Sequence, residues 1–206
     1  MSSYKLICVT GPDGSGKSSL VNALKNLIAG SIVVSIWDTI KDPSKQNLVP
    51  FRTMEDVDIY LSHLHHESRS LLLMHCLAES MEMAKKKNAP YLLADSYWYK
   101  YYATEKAHGS AVEYLDKLVS LFEKPDFIFY INAKANLTFK RKMIISRYEC
   151  GFANEVNKQT FMNFQKLVID NFQELMPSIS NKILDANTPA SENCKIILNE
   201  LKYTAK

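Results

Sequence analysis

The feature that most restricts the fold of this chain is residues 11–18, which read GPDGSGKS and match the pattern GxxxxGK[ST] in full. A strand-like apolar run, 4–10, precedes the segment, and an amphipathic helical pattern, 17–29, follows it. Glycine accepts the backbone angles that turn successive N–H groups toward an anion, and the N-terminus of the following helix adds a positive dipole end. The segment therefore predicts a loop that binds the phosphates of a nucleoside triphosphate.

The residue types in this loop also predict its ligands. We expect Lys17 to reach the β and γ phosphates of ATP, and the Ser18 hydroxyl to hold Mg²⁺. ATP and Mg²⁺ are therefore the predicted cofactors. The residues expected to bind ATP are Gly11, Asp13, Gly14, Ser15, Gly16, Lys17, Ser18, Ser19 and, from a later basic segment, Arg141.

Strand-like apolar runs alternate with long amphipathic segments, which is typical of a parallel sheet covered by helices. The runs are 4–10, 32–37, 91–94, 127–131 and 182–184, and the helical patterns are 17–29, 55–87 in two pieces, 111–122, 136–147, 157–174 and 191–202. The run 127–131 is apolar throughout, so we expect it inside the sheet. The prediction is an α/β fold of the P-loop NTPase type, a three-layer α/β/α sandwich with a five-stranded parallel sheet, as a single domain over 1–206.

Composition excludes several classes of protein. The 25 basic and 22 acidic residues give a net charge of +3, too close a balance for a dedicated nucleic-acid binder. No apolar stretch approaches the length of a membrane span, and the first residues lack the pattern of a signal peptide. The four cysteines lie far apart without CxxC spacing, as expected of free thiols in a reducing compartment. We expect a cytoplasmic protein with small nucleotides as partners, and neither nucleic acid nor a membrane.

Two further segments suit chemistry beside the loop. Asp95 follows the strand-like run 91–94, at the edge of an open sheet where ligands bind. Asp95 either orients Mg²⁺ through water, accepts a proton from the acceptor, or caps the next helix. A basic segment at about 138–152 ends near Gly151 and carries four cations between Lys140 and Arg147. It is either a lid that closes over phosphates or a basic helix face exposed to solvent.

A phosphate-binding loop serves kinases, GTPases and motors alike. The chain has no NKxD sequence of the kind that reads guanine, and motors and helicases are normally larger. A chain of 206 residues with the loop near its start fits a small-molecule kinase best. The phosphate acceptor has to be inferred from other residues.

These motifs together resemble those of the thymidylate kinase family. Asp13 matches the carboxylate at the third loop position of the family, residues 95–97 correspond to its DRY motif, Arg69 matches the arginine of its FYxxR motif, and 183–186 look like its last strand with a D-A pair. The resemblance implies that Asp13 holds the acceptor sugar, Arg69 reads its base, and Arg147 is the lid arginine that acts on the transferred phosphoryl group. It also implies a possible homodimer by analogy.

The chain departs from the family on the acceptor side. Ser96 replaces the DRY arginine, and Lys100, one helical turn further on, is either its replacement or a surface lysine. His65 stands where the family has a phenylalanine that stacks on the base. Trp37 occupies a segment that is arginine-glutamate-proline in the family, and it either stacks on a base or packs in the core.

The resemblance therefore implies a nucleoside monophosphate kinase that transfers the γ-phosphoryl group of ATP to dTMP or a related nucleotide. The alternatives are a kinase of a nucleoside or another small metabolite, and a nucleotide-binding module with weak catalysis. The residues assigned are Lys17, Asp95, Arg147 and Lys100 for catalysis, Asp13, Trp37, His65, Arg69, Asp95 and Tyr97 for the acceptor, and Ser18 and Asp95 for the metal.

Overall fold

The computed structural model describes residues 4–42, 53–179 and 181–203. Their strands are β1 (Lys5–Thr10), β2 (Ser31–Val34), β3 (Tyr91–Asp95), β4 (Phe127–Asn132) and β5 (Lys182–Asp185). All pair in parallel in the order β2-β3-β1-β4-β5, so the predicted five-stranded parallel sheet is confirmed. As expected from its continuous apolar run, β4 lies inside the sheet, between β1 and β5.

Helices join and cover the strands. They are α1 (Lys17–Leu27), α2 (Asp38–Lys41), α3 (Met54–His63), α4 (His66–Lys85), α5 (Tyr97–Ala107), α6 (Val112–Val119), α7 (Ala135–Arg141), α8 (Lys158–Leu175) and α9 (Ala190–Tyr203). The predicted loop or irregular helices at 41–54 fall mostly on 43–52, which lie outside the described residues. None of the described helices is both long enough and apolar enough to cross a membrane.

The sheet separates two apolar cores, because successive side chains of a strand point to opposite faces. Leu6 and Cys8 of β1 pack into one core with residues of α4, α5 and α8. Ile7 and Val9 pack into the other with residues of α1 and α9. The predicted three-layer sandwich is confirmed by this division. All four cysteines are buried free thiols, as the sequence predicts.

Helix α5 has no clear helical pattern in the sequence because it is buried on nearly every side. It contacts α4, α6 and α8 and also lies against β1. A helix surrounded in this way has no solvent-exposed polar face, so its sequence does not show the periodic pattern of polar and apolar residues that marks a surface helix. Its buried residues are Tyr97, Tyr99, Lys100, Tyr101, Tyr102, Ala103, Thr104 and Glu105.

The prediction of a helix over 136–147 is wrong in its second half. Helix α7 ends at Arg141, and Lys142 already has extended backbone angles. The β-branched pair Ile144 and Ile145 has low helix propensity, and Lys142 leaves the helix to form an ion pair with Glu149. The basic segment at about 138–152, the candidate lid segment, therefore consists of the end of a short helix, an irregular stretch and a 3-10 turn at Tyr148–Cys150.

Candidate active site

The phosphate loop between β1 and α1 has the backbone shape that its glycines predict. Gly11, Gly14 and Gly16 all have positive φ, at 151°, 76° and 100°. A Cβ atom on Gly14 would lie 2.5 Å from the carbonyl oxygen of Thr138 in α7. Only glycine fits where the loop passes this closely against α7.

Buried polar atoms of the loop region have no protein partner among the described residues. They are Thr10 Oγ1, Asp13 Oδ2 and Ser15 Oγ. Because buried polar groups are almost always hydrogen-bonded, such a cluster indicates a ligand that completes them. Hydroxyl and carboxylate oxygens are also the ligands that Mg²⁺ prefers, so the residues present fit a magnesium nucleotide.

A cavity of about 810 Å³ opens above the loop and the carboxyl edge of the sheet. It holds most of the predicted site residues: Asp13, Gly14, Ser15, Gly16, Lys17, Ser18, Ser19, Trp37, Asp95, Lys100 and Arg141. Gly11 packs closely against β4, since a Cβ at this position would lie 2.7 Å from the backbone oxygen of Ile131. Trp37 is half-buried, packs partly on the core and also lines the cavity, so its predicted core packing holds in part and its stacking on a base stays a prediction.

Lys100 reaches the phosphate loop and forms an ion pair with Asp13, with Nζ 2.7 Å from Oδ1. It is therefore not a surface lysine, since only 9% of the residue is exposed. Burial alone would raise the pKa of Asp13, but Lys100, Lys17 and Lys142 outweigh it and lower that pKa from 3.8 to about 2. Asp13 is thus held as a carboxylate, and its second oxygen has no hydrogen-bond partner in the part of the chain that the structure describes.

Lys17 is folded back onto its own loop. Its Nζ donates a 2.7 Å hydrogen bond to the carbonyl oxygen of Pro12, and 6% of the residue is exposed. Burial lowers the pKa of Lys17 from 10.5 to about 8, with Lys100 adding to the decrease and Asp13 opposing it. Before an anion binds, Lys17 is therefore easier to deprotonate than an ordinary lysine.

Asp95 ends β3 beside the centre of the sheet, where it is in register with Val9 of β1. The next residue, Ser96, has a φ of 87°, a strained conformation for a residue that is not glycine. Its N–H donates to Val9 O at 2.9 Å, and its hydroxyl donates to Asp95 Oδ1 at 3.2 Å. The alternative that Asp95 caps α5 is wrong, because the capping position belongs to Ser96, whose side chain makes no capping bond.

Arg69 does not line the cavity, so the structure does not support its expected contact with the acceptor base. Its Nε lies 3.0 Å from Oε2 of Glu105 in α5, and its Nη1 donates to Leu64 O at 3.1 Å. Glu105 is fully buried, and a buried carboxylate needs a cation beside it. The arginine therefore neutralises a buried carboxylate inside the protein.

Three other predicted residues also lie outside the cavity lining, and the roles assigned to them stay predictions. The buried Tyr97 turns away, with a φ of 52°, and its hydroxyl donates to Glu123 O. His65 is exposed at the residue before α4. Arg147 is exposed and lies beyond the end of α7, and its backbone N–H donates to Asp58.

The structure adds site residues that the sequence reasoning missed. Lys142 and Glu149 form an ion pair on the cavity wall. Glu105, Ser70 and Tyr148 form a buried hydrogen-bonded group around Arg69.

Gln165 is a fully buried amide within the apolar stripe of α8, beside Phe161, Phe164 and Val168. The sequence signal that could have revealed Gln165 is a polar residue at a position where the helical period of α8 predicts an apolar core residue.

Comparison with known proteins finds relatives that are named as probable thymidylate kinases. No protein-family model matches the chain. The protein named "Probable thymidylate kinase 2" of Saccharolobus solfataricus is 26% identical over 204 residues, which cover 91% of this chain and 90% of that relative. "Probable thymidylate kinase 1" of the same organism is 24% identical over 142 residues, which cover 66% of this chain and 69% of that relative. Together with the phosphate loop and the parallel sheet already described, the similarity to these relatives supports membership of the chain in the thymidylate kinase family.

Proposed function

We propose that the chain is an ATP-dependent nucleoside monophosphate kinase, with dTMP as the first-choice acceptor. The observation that carries the proposal is that one cavity contains the phosphate loop, Asp95 and the Asp13–Lys100 ion pair. A donor on the loop and an acceptor beside Lys100 would therefore share one space. The names of the two relatives favour a nucleotide as that acceptor.

The chain's own residues suit the positioning and charge neutralisation that phosphoryl transfer needs. Lys17 would bind the oxygens of the transferred group, and Ser18 and Asp95 would hold Mg²⁺, which neutralises phosphate charge when bound. Lys100 would place a second cation beside the transferred phosphoryl group, the role left open by Ser96. An acceptor phosphate is already ionised at neutral pH, so its attack on the γ-phosphorus requires no general base.

Part of the cavity lining suits a base and a sugar. Trp37, Tyr101 and Tyr148 line it together with aliphatic residues of α3, and aromatic side chains stack well on a nucleobase. The unpartnered Oδ2 of Asp13 can accept a hydrogen bond from a sugar hydroxyl while Oδ1 stays with Lys100.

A panel of acceptors tests the proposal. ADP release from Mg·ATP is measured with each of the common nucleoside monophosphates and with thymidine, for the wild type and for Lys17→Met. We expect turnover with dTMP in the wild type, and at least about 10³-fold less in the variant. Activity on thymidine but none on any monophosphate would contradict the proposal.

A kinase of a nucleoside or another small metabolite is the second candidate, and one observation favours it. Arg69, the base-reading arginine expected from the family resemblance, is held by Glu105 outside the cavity lining. In that case Asp95 would act as general base on the acceptor hydroxyl, since a hydroxyl must lose its proton. Asp95→Asn would then abolish transfer to thymidine. A protein that binds ATP but shows no acceptor-dependent turnover across the panel would instead be a nucleotide-binding module with weak catalysis.

A further inference from the structure

Gln165 of α8 is a buried side chain that contacts two separate parts of the candidate site. Its Oε1 accepts a hydrogen bond from the backbone N–H of Asp13 in the phosphate loop, at 3.2 Å. Its Nε2 donates to the backbone carbonyl of Glu149 at the end of the lid segment, at 3.0 Å. The residue is 0% exposed, so water does not compete for either bond.

The two bonds depend on each other. The side-chain amide of Gln165 has an acceptor oxygen on one side and a donor NH2 group on the other. Rotating the amide by half a turn would place its NH2 group against the N–H of Asp13 and its oxygen against the carbonyl of Glu149, so both hydrogen bonds would be lost. A buried amide left with one partner missing carries the cost of an unsatisfied polar group. The separation between Asp13 N and Glu149 O is therefore limited by the span of one amide group and its two hydrogen bonds.

Both linked residues also hold a lysine of the cavity. The Asp13 carboxylate pairs with Lys100, and the Glu149 carboxylate pairs with Lys142. Displacing the Glu149 backbone would move Lys142, and displacing the Asp13 backbone would move Lys100. Gln165 thus fixes the spacing of two cations that line the same cavity.

The lid end rests on the same stretch of α8. Gly151 has a φ of 69°, and a Cβ atom there would lie 2.6 Å from the ring of Phe164, the residue before Gln165. The tight packing leaves little room for the lid end to shift without changing the Gln165 bond to Glu149. Helix α8 therefore forms a base under both the lid end and the phosphate loop.

We propose that Gln165 is a positioning residue that couples the conformation of the phosphate loop to that of the lid segment. The proposal deepens the proposed kinase function and rests on ATP binding to the loop. When ATP binds, the Asp13 backbone becomes ordered, and the glutamine transmits that order to Glu149 and Lys142. Ordering of the lid by ATP therefore requires both hydrogen bonds of this amide.

Three variants separate this role from simple packing. Gln165→Met keeps the length of the side chain and removes both bonds. Gln165→Glu keeps an acceptor for Asp13 N–H and, when ionised, places a carboxylate oxygen opposite the Glu149 carbonyl, which removes only the bond to the lid. Because burial favours the protonated form, whose O–H would donate to that carbonyl, this variant is measured at high pH, where the side chain is ionised. Gln173→Glu makes the same chemical change at an exposed position of the same helix and is the matched control.

Hydrogen exchange of peptides over 12–16 and 142–151 is measured with and without Mg·ATP, together with the KM for ATP, kcat and the melting temperature. In the wild type and Gln173→Glu, ATP is expected to slow exchange in both peptides. In Gln165→Glu, ATP protects the loop peptide but not the lid peptide. In Gln165→Met both effects are lost, and the KM for ATP rises by about fivefold or more.

Protection of the lid by ATP in both Gln165 variants at the wild-type level, with an unchanged KM, would overturn the proposal. So would a lower melting temperature as the only change, since that marks a packing role. If neither variant folds, the wild type still decides: the Asp13 amide must be protected and must gain protection together with the lid peptide as ATP is added. Failure of the kinase function is distinguishable, because it abolishes acceptor turnover while ATP-dependent protection remains measurable.

Discussion

Three lysines and two carboxylates are the side chains that set the electrostatics of this cavity. Lys17, Lys100 and Lys142 all contribute to the low pKa of Asp13. Burial raises the pKa of Glu149, and the nearby Asp13 adds to that increase while Lys142 opposes it. The positive charges of the lysines are therefore partly balanced by these carboxylates. Bound phosphate oxygens would add further negative charge beside the same lysines.

The pKa of Lys17 leads to a prediction about proton uptake. Burial lowers this pKa to about 8, and the negative charge of bound phosphates would raise it again. At pH 8.5, where ATP is fully ionised, we expect binding of Mg·ATP to take up a fraction of a proton. Calorimetry in buffers of different ionisation enthalpy measures this uptake. At pH 7 the contribution of Lys17 should be small, and proton release at pH 8.5 would show that the assignment is wrong.

Replacing Lys100 tests whether it substitutes for the missing DRY arginine. In Lys100→Met we expect kcat to fall by about 10³-fold or more, because a cation that stabilises the transferred phosphoryl group is lost. The KM for ATP should change less, since Lys17 and the loop remain. Lys100→Arg keeps the charge and is the control, with activity much closer to the wild type. Equal activity in the methionine variant and the wild type would assign Lys100 to structure alone.

Among the helices and strands, the sequence predicted best where one local rule decides the outcome. The glycine loop, the first helix and all five strands follow from local pattern, with boundary differences of a few residues. Helix α5 was harder to predict because burial on all sides removes its period. The end of α7 depends on the long-range pairing of Lys142 with Glu149, which no local pattern encodes.

The close approach of the phosphate loop to α7 can be tested with two glycines. Gly14→Ala places a Cβ 2.5 Å from Thr138 O, whereas Gly109→Ala places one 3.5 Å from the His66 ring, an ordinary contact. Both positions have positive φ, so each variant should lose about 1–2 kcal/mol of stability to backbone strain. Only Gly14→Ala should also weaken ATP binding, because the loop must move away from α7. Similar ATP affinity in the two variants, by titration, would contradict the close approach.

In the molecule as a whole, the parallel sheet brings distant residues together at its carboxyl edge. Asp13 is far in the sequence from Asp95 and Lys100, but all three residues line one cavity. The sequence predicted this convergence for the donor side, where strand ends and the loop fix the geometry. It did not predict that His65, Arg69, Tyr97 and Arg147 lie outside the cavity lining; the position of Arg69 depends on its buried partner Glu105, which no local pattern encodes.

The Asp13–Lys100 pair also affects the stability of the fold in acid. The pKa of Asp13 is lowered from 3.8 to about 2, so its contribution is complete above about pH 4 and is lost as pH falls toward 2. This shift corresponds to about 2 kcal/mol at neutral pH. We expect Asp13→Asn to lower the free energy of unfolding in urea at pH 7, and the difference from the wild type to shrink toward pH 2. A difference independent of pH would contradict the pairing.

Transfer of label from [γ-³²P]ATP tests the central claim most directly. The wild-type protein is incubated with Mg²⁺, labelled ATP and unlabelled dTMP, and the products are separated. The account predicts labelled dTDP and an equal amount of ADP, both dependent on dTMP. No labelled nucleoside diphosphate with dTMP or any other nucleoside monophosphate, from a protein that binds ATP, would contradict it.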